Sequence, residues 1–159
     1  MARVSGKSAK VQRLLTGIDA CGLDLRYGGY FICFDRGEFF EAHEVLEDLW
    51  LEDRRGPDGD FFKGLIQLAG AFVHLQKNRL RPAEALLALA ARNLARYPAV
   101  HHRLDVLAVL AMTDRWRQQL VAGDFGVNPL PDENSPRLAE FIAVGFRPHV
   151  ATGAVGSSR

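Results

Sequence analysis

Apolar residues recur along this chain at steps of three and four, while sustained alternation of period two is absent and no Asn-Gly or Asp-Gly pair stands between two alternating runs as a hairpin turn would. The spacing predicts helices over residues 8–18, 24–35, 38–50, 60–78, 82–97 and 105–122. A shorter helix follows over 136–144. Gly37 stops the second helix, and the third ends before Arg54-Arg55-Gly56-Pro57-Asp58-Gly59, a strong breaker after which Asp58 or Asp60 can cap the fourth. Pro82 suits a first helical turn, Asp105 a cap, and Gly123 a stop. The fourth helix is apolar on nearly every side and is therefore expected at the centre. The pattern defines an all-α fold, a compact bundle of about five to seven helices built from antiparallel helical hairpins. Residues 10–145 form its single domain, between flexible segments over 1–9 and 146–159.

Gly37-x-Phe39-x-x-Ala42-x-x-x-Leu46 is echoed by Asn78-x-Leu80-x-x-Ala83-x-x-x-Leu87. Both resemble the turn and second helix of tetratricopeptide-type hairpins. Two copies are too few for a solenoid, which needs about three stacked units to bury a core.

The length of 159 residues, 48% of them hydrophobic and 25% charged, suits one globular domain with a true core. No apolar run is long enough to span a membrane, and the basic N-terminus lacks the apolar stretch of a signal peptide. Cys21 and Cys33, with no CxxC pattern, read as reduced thiols of a cytoplasmic protein. Residues 24–60 carry eleven acids against four arginines. Residues 61–120 carry nine Lys or Arg against three acids. A nucleic-acid binder would show an unbroken basic field, so nucleic acid is an unlikely partner, and the two segments are expected to face each other. Arg79, Arg81, Arg92, Arg96 and Arg103 read as a solvated face, and a homo-oligomer stays open.

Helix three carries the unusual positions. On a wheel of about 100° per residue, Phe39, Ala42, His43, Leu46, Leu49 and Trp50 share one side. His43 lies near its middle and Glu47 at its edge. Glu44 lies between faces, while Glu41, Asp48 and Glu52 fall on a solvated face. Helix four has a narrow stripe of Lys63, Gln67, Gly70, His74 and Lys77, with Gly70 allowing close approach. An antiparallel pairing of these helices would set His43 and Glu47 against Gln67 and His74, one pocket formed by His43, Glu44, Glu47, Trp50, Gln67 and His74.

Three readings fit that pocket. A structural network would have Glu47 accept a proton from a histidine, Gln67 bridge, and Trp50 cover the pair; this is the preferred one. A divalent transition metal could be held by His43, Glu47 and His74. General acid–base chemistry could use a Glu–His pair, with Glu44 as the candidate catalytic base. The His43-Glu44-x-x-Glu47 (HExxE) spacing matches neither the H-E-x-x-H of zinc proteases nor the E-x-x-H of di-iron bundles, since Phe40 stands where that glutamate would be. No cofactor is certain. His101 and His102 form a weaker candidate, better suited to an exposed or capping role.

Phe34-Asp35-Arg36-Gly37-Glu38-Phe39-Phe40-Glu41-Ala42-His43-Glu44-Val45-Leu46-Glu47-Asp48-Leu49-Trp50, then Gly64-Leu65-Ile66-Gln67-Leu68-Ala69, then His74, resembles the small bacterial and archaeal proteins grouped as domain-of-unknown-function family three-oh-nine. The resemblance covers about residues 26–122. It implies a cytosolic helical bundle and no particular reaction. Gly37, His43, Glu44, Glu47, Trp50, Gly64, Gln67 and His74 match its signature, while Asp35 stands where asparagine is common.

Function therefore reads as a soluble helical module whose pocket is structural or binds a ligand or partner segment, with a metal-dependent hydrolase as the alternative. If the pocket is a structural network, His43→Ala destabilises the protein by about 1–3 kcal/mol in urea unfolding, through its stranded partner. Unchanged stability contradicts that reading.

Overall fold

The same cap closes two successive helix pairs. In the computed structural model, which describes residues 6–130 and 135–151, helix α2 (Leu25–Asp35) turns into α3 (Phe39–Trp50) through Gly37 at φ 76°. Helix α4 (Gly59–Gln76) turns into α5 (Leu80–Leu94) through Asn78 at φ 56°. Glu38 N–H donates to Cys33 O at 2.9 Å and Gly37 N–H to Phe34 O at 2.9 Å. Arg79 N–H donates to His74 O at 2.8 Å and Asn78 N–H to Leu75 O at 3.0 Å. These are the paired bonds of a Schellman cap, whose left-handed residue is tolerated best as Gly or Asn. The sequence echo between the two hairpins is thus an echo of one joint. Gln76 Nε2 ties the joints together by donating to Gly37 O at 2.9 Å.

Two further helices complete the six found among the described residues: α1 (Gly6–Leu14), packed on α3, and α6 (Val106–Ala122), packed on α5. Asp24 caps α2 by accepting from Arg26 N–H, and Asp105 caps α6 by accepting from Ala108 N–H at 3.0 Å. Helix α6 ends in the same cap as α2 and α4, with Asp124 at φ 51° in the left-handed position. Gly123, the expected stop, stands one residue earlier at φ −85°.

Helix α4 is the spine. Phe61, Leu65, Leu68, Phe72 and Leu75 are buried, each burial contributing about 1.5–3 kcal/mol. Tyr27 meets Phe61, Tyr30 Oη donates to Leu65 O at 2.6 Å, and Phe34 meets Phe72 edge to face. Positions ascend together in both helices, so α2 and α4 run parallel and α3 runs antiparallel to α4. On the other flank, a Cβ at Gly64 would lie 2.9 Å from Leu94 Cγ, whereas one at Gly70 would face Leu86. Positions therefore descend along α5 as they ascend along α4. This second antiparallel pair approaches so closely at Gly64 that no side chain fits there without displacing Leu94.

Charges join the elements. Arg26 on α2 bridges Asp48 at 3.0 Å and Glu52 at 2.7 Å, so these two acids of α3 and its end are paired rather than simply solvated. Arg96 meets Asp60 across the acidic and basic segments, whereas Arg117 on α6 meets Glu84 on α5 at 3.0 Å within the basic one.

Short strands appear where period-two reading had no length to work on. Strand β1 (Ile18–Asp19) pairs antiparallel with β4 (His149–Val150), and β2 (Val100–His101) with β3 (Leu104–Asp105). The segments expected to be flexible thus carry secondary structure in part, α1 beginning at Gly6 and packing on α3, and β4 lying beyond residue 146 and pairing with β1. Residues 1–5 and 152–159 of those segments lie outside the described residues. In place of a helix over 136–144 there are two 3-10 turns, Ala139–Phe141 and Val144–Phe146. Asp35 anchors the first: its two oxygens accept Leu138 N–H at 2.6 Å and Ala139 N–H at 3.2 Å. Asparagine has one acceptor oxygen, so the departure at this position has a structural reason. Burial pushes the Asp35 carboxyl up, against the opposing pull of those two bonds.

Asp58 holds the cap position of α4 but makes no capping bond. Its two oxygens instead accept from His101 Nε2 and His102 Nε2, each at 2.7 Å, pinning the α3–α4 turn to the β2–β3 hairpin. Burial alone would raise this carboxyl, but the two imidazole bonds outweigh it and hold Asp58 below its ordinary value of 3.8. A depressed carboxyl stabilises the fold above the unfolded value and ceases to do so as pH falls through the folded one. Asp58→Asn is therefore expected to lower stability by about 1 kcal/mol at pH 7, after allowance for solvent screening. Urea unfolding should show the difference closing as pH falls below the ordinary value of 3.8 and through the lower folded one. A difference that persists undiminished in acid contradicts the assignment.

Candidate functional site

The polar stripe of α4 forms the floor of an open groove. Its volume is about 300 Å³, and it is lined by Phe40 and His43 from α3, Ile66, Gln67, Gly70, Val73 and His74 from α4, Lys77 just beyond, and Leu86 from α5. The helix pairing explains the set. Antiparallel packing brings Phe40 and His43 beside the C-terminal half of α4, and α5 closes the other wall. Gly70, lacking a side chain, leaves the middle of the floor open.

His43, Gln67 and His74 thus line one groove. Glu44, Glu47 and Trp50 are not among its lining residues. Glu44 pairs with Lys10 of α1 at 2.6 Å, and Lys10 Nζ also lies over the Phe40 ring, 5.2 Å from its centroid. Glu47 and Trp50 are half-buried. Trp50 Nε1 is buried with no hydrogen-bond partner among the described residues. Gln67 does not bridge across to α3: its Oε1 accepts from Asn93 Nδ2 of α5 at 2.7 Å. That bond leaves the Gln67 amide hydrogens available to the groove.

His74 is half-buried, and its Nδ1 has no hydrogen-bond partner among the described residues. Burial, then the charges of Arg79 and Lys77, pushes the imidazole below its ordinary value, so it stays neutral at pH 7. A neutral imidazole offers one donor and one acceptor. The parallel rings of Phe40 and His43 stand 6.2 Å apart at the α3 wall.

His43, Glu47 and His74 do not form a close metal-binding group. Among the described residues, two groups of three have ligand atoms within 4.8 Å of one another: Asp19, Cys21 and His149, and Asp58, His101 and His102. Cys21 and Cys33 are free thiols. Ile66, Val73 and Leu86 escape a reading of the sequence for site residues, because apolar positions give no signal apart from the core. Leu86 in particular requires the α4–α5 register, which only packing sets.

Helical hairpins of this kind, with a groove across them, define a small all-α module. The family model for the Domain of unknown function (DUF309) matches residues 28–86, the stretch from α2 into α5. The matched segment is shorter than the one read from the motifs, yet contains every residue that lines the groove. The chain is also similar to the Uncharacterized protein YpuF of Bacillus subtilis (strain 168), 37% identical over 57 residues. That stretch is 36% of this chain and 33% of YpuF. No solved structure matches the chain.

Proposed function

We propose that this protein is a ligand-binding helical module, cytoplasmic and not dependent on nucleic acid, whose α3–α4–α5 groove takes a small molecule with an apolar body and an acidic head. The observation that carries this reading is the groove's division of labour. Phe40, Ile66, Val73 and Leu86 supply apolar walls, while the Gln67 amide, neutral His74 and the Lys77 ammonium supply donors. Binding sites are commonly concave, mostly apolar and provided with a few convergent polar groups. The volume suits a ligand at the small end of the usual range, roughly 300–1,000 Å³.

The metal-dependent hydrolase is less well supported. The groove's lining residues include no carboxylate, and Glu44, the candidate base, is engaged by Lys10. His43, Glu47 and His74 are not gathered at ligand distance.

Gly70 provides the test. A Cβ there would lie 3.3 Å from Leu86 Cδ1, the far end of a half-buried side chain that can yield by a few tenths of an ångström. Alanine is favoured over glycine inside a helix by about 0.5–1 kcal/mol. Gly70→Ala should therefore leave stability unchanged or raised while narrowing the groove. Titrating octanoate into ¹⁵N-labelled protein should move the amide resonances of Gln67, Gly70 and His74, and Gly70→Ala should weaken that binding about tenfold. Shifts confined to other parts of the bundle, or no shifts, contradict the proposal.

A further inference from the structure

We propose that Asp58, His101 and His102 form a binding site for one divalent transition-metal ion of the zinc class, separate from the groove. The geometry rests on an unusual turn. Consecutive residues of a strand point to opposite faces, so adjacent histidines do not ordinarily converge. Here they converge because the chain reverses at His102 and Arg103, at φ 47° and 66°. Neither is glycine or asparagine, so both left-handed residues are strained. The hairpin is held in this form from outside: Tyr27 Oη, on α2, donates to His102 O at 2.9 Å.

The result is one ring nitrogen from each histidine and a carboxylate oxygen within 4.8 Å of one another, with both Nε2 atoms 2.7 Å from Asp58. One carboxylate on one histidine would serve as a staple, so the second ring is in excess of that need. The rings are further fixed by aromatic neighbours. Phe62 stacks on His102 at 5.8 Å, Phe61 meets His101 edge to face at 4.9 Å, and Tyr97 flanks His101 at 5.0 Å. The guanidinium of Arg103 is engaged by another group, lying 4.0 Å over the Phe146 ring. Part of each ligand side chain stays accessible: 36% for Asp58, 25% for His101 and 40% for His102. Three protein ligands and a solvent-facing side fit an open tetrahedral site, in which water fills the fourth position.

An ionised carboxylate only accepts, so both Nε2 atoms carry hydrogen in the empty site. On binding, each ring shifts its hydrogen to Nδ1 and offers the Nε2 lone pair to the ion. With bonds of about 2.1 Å, tetrahedral ligand atoms stand about 3.4 Å apart. The present 2.7 Å separations between each Nε2 and Asp58 must therefore open by about 0.7 Å, which rotation of these partly exposed side chains allows.

Cobalt(II), titrated into the apoprotein at pH 7.5, tests the site. One equivalent should bind with d–d absorption of a tetrahedral nitrogen–oxygen site and no thiolate charge-transfer band. In the histidine NMR spectrum of the zinc-loaded protein, the ring signals of His101 and His102 should move together. His102→Ala, checked for folding by circular dichroism, should weaken zinc more than about tenfold, and Cys21→Ser should leave it unchanged. If His102→Ala fails to fold, the wild-type cobalt and histidine spectra decide alone. Absence of stoichiometric binding overturns the proposal. So does a thiolate band, or loss of binding in Cys21→Ser, since the ion would then sit at Asp19, Cys21 and His149.

Discussion

Everything in this structure follows from the burial of α4. Its apolar residues face in three directions and can be covered only if α2 and α3 pack on one flank and α5 on the other. The Schellman joints at Gly37 and Asn78 make that arrangement accessible, because each reverses the chain within a few residues and returns an apolar face to the spine. The aromatic column of Tyr27, Tyr30, Phe31 and Phe34 then aligns along α4, and Gly64 lets α5 approach. Asp24 and Asp105 cap α2 and α6, Tyr97 Oη accepts the Phe61 N–H at the start of α4, and Asp35 holds the first 3-10 turn.

The groove is the remainder of the same constraint. A helix covered on three sides has one stripe left, and here that stripe reads Gln67, Gly70, His74 and Lys77. Its neighbours on α3 and α5 are held apart at Gly70, where no side chain fills the gap. A spine that must stay packed is a rigid platform for a ligand, since binding there orders little further structure. The Asp58 cluster has a different origin: it depends on a strained hairpin at one end of the bundle and lies outside the groove's lining.

Helix positions, the hairpin joints and the central place of α4 were legible because they rest on local spacing and on residues with particular backbone preferences. His43, Gln67 and His74 were legible as groove residues for the same reason, since a wheel places side chains on faces. The partners of those side chains were not legible. Gln67 finds Asn93 and Glu44 finds Lys10, choices that depend on the register between helices and on α1. Asp58 read as a cap because local sequence offers no hint of histidines 43 and 44 residues later. Asp35 likewise acquires its role from a segment about a hundred residues away, through hydrogen bonds to Leu138 and Ala139.

The claim that α4 organises the molecule is tested most directly by native-state hydrogen exchange read residue by residue. The amides of Leu65, Leu68 and Phe72 should exchange only through global unfolding, with the full denaturant dependence of the whole protein. Amides of α1 and of the β1–β4 pair should exchange through smaller local openings. If α4 amides open at lower free energy than those of α1, the spine is elsewhere and the account fails.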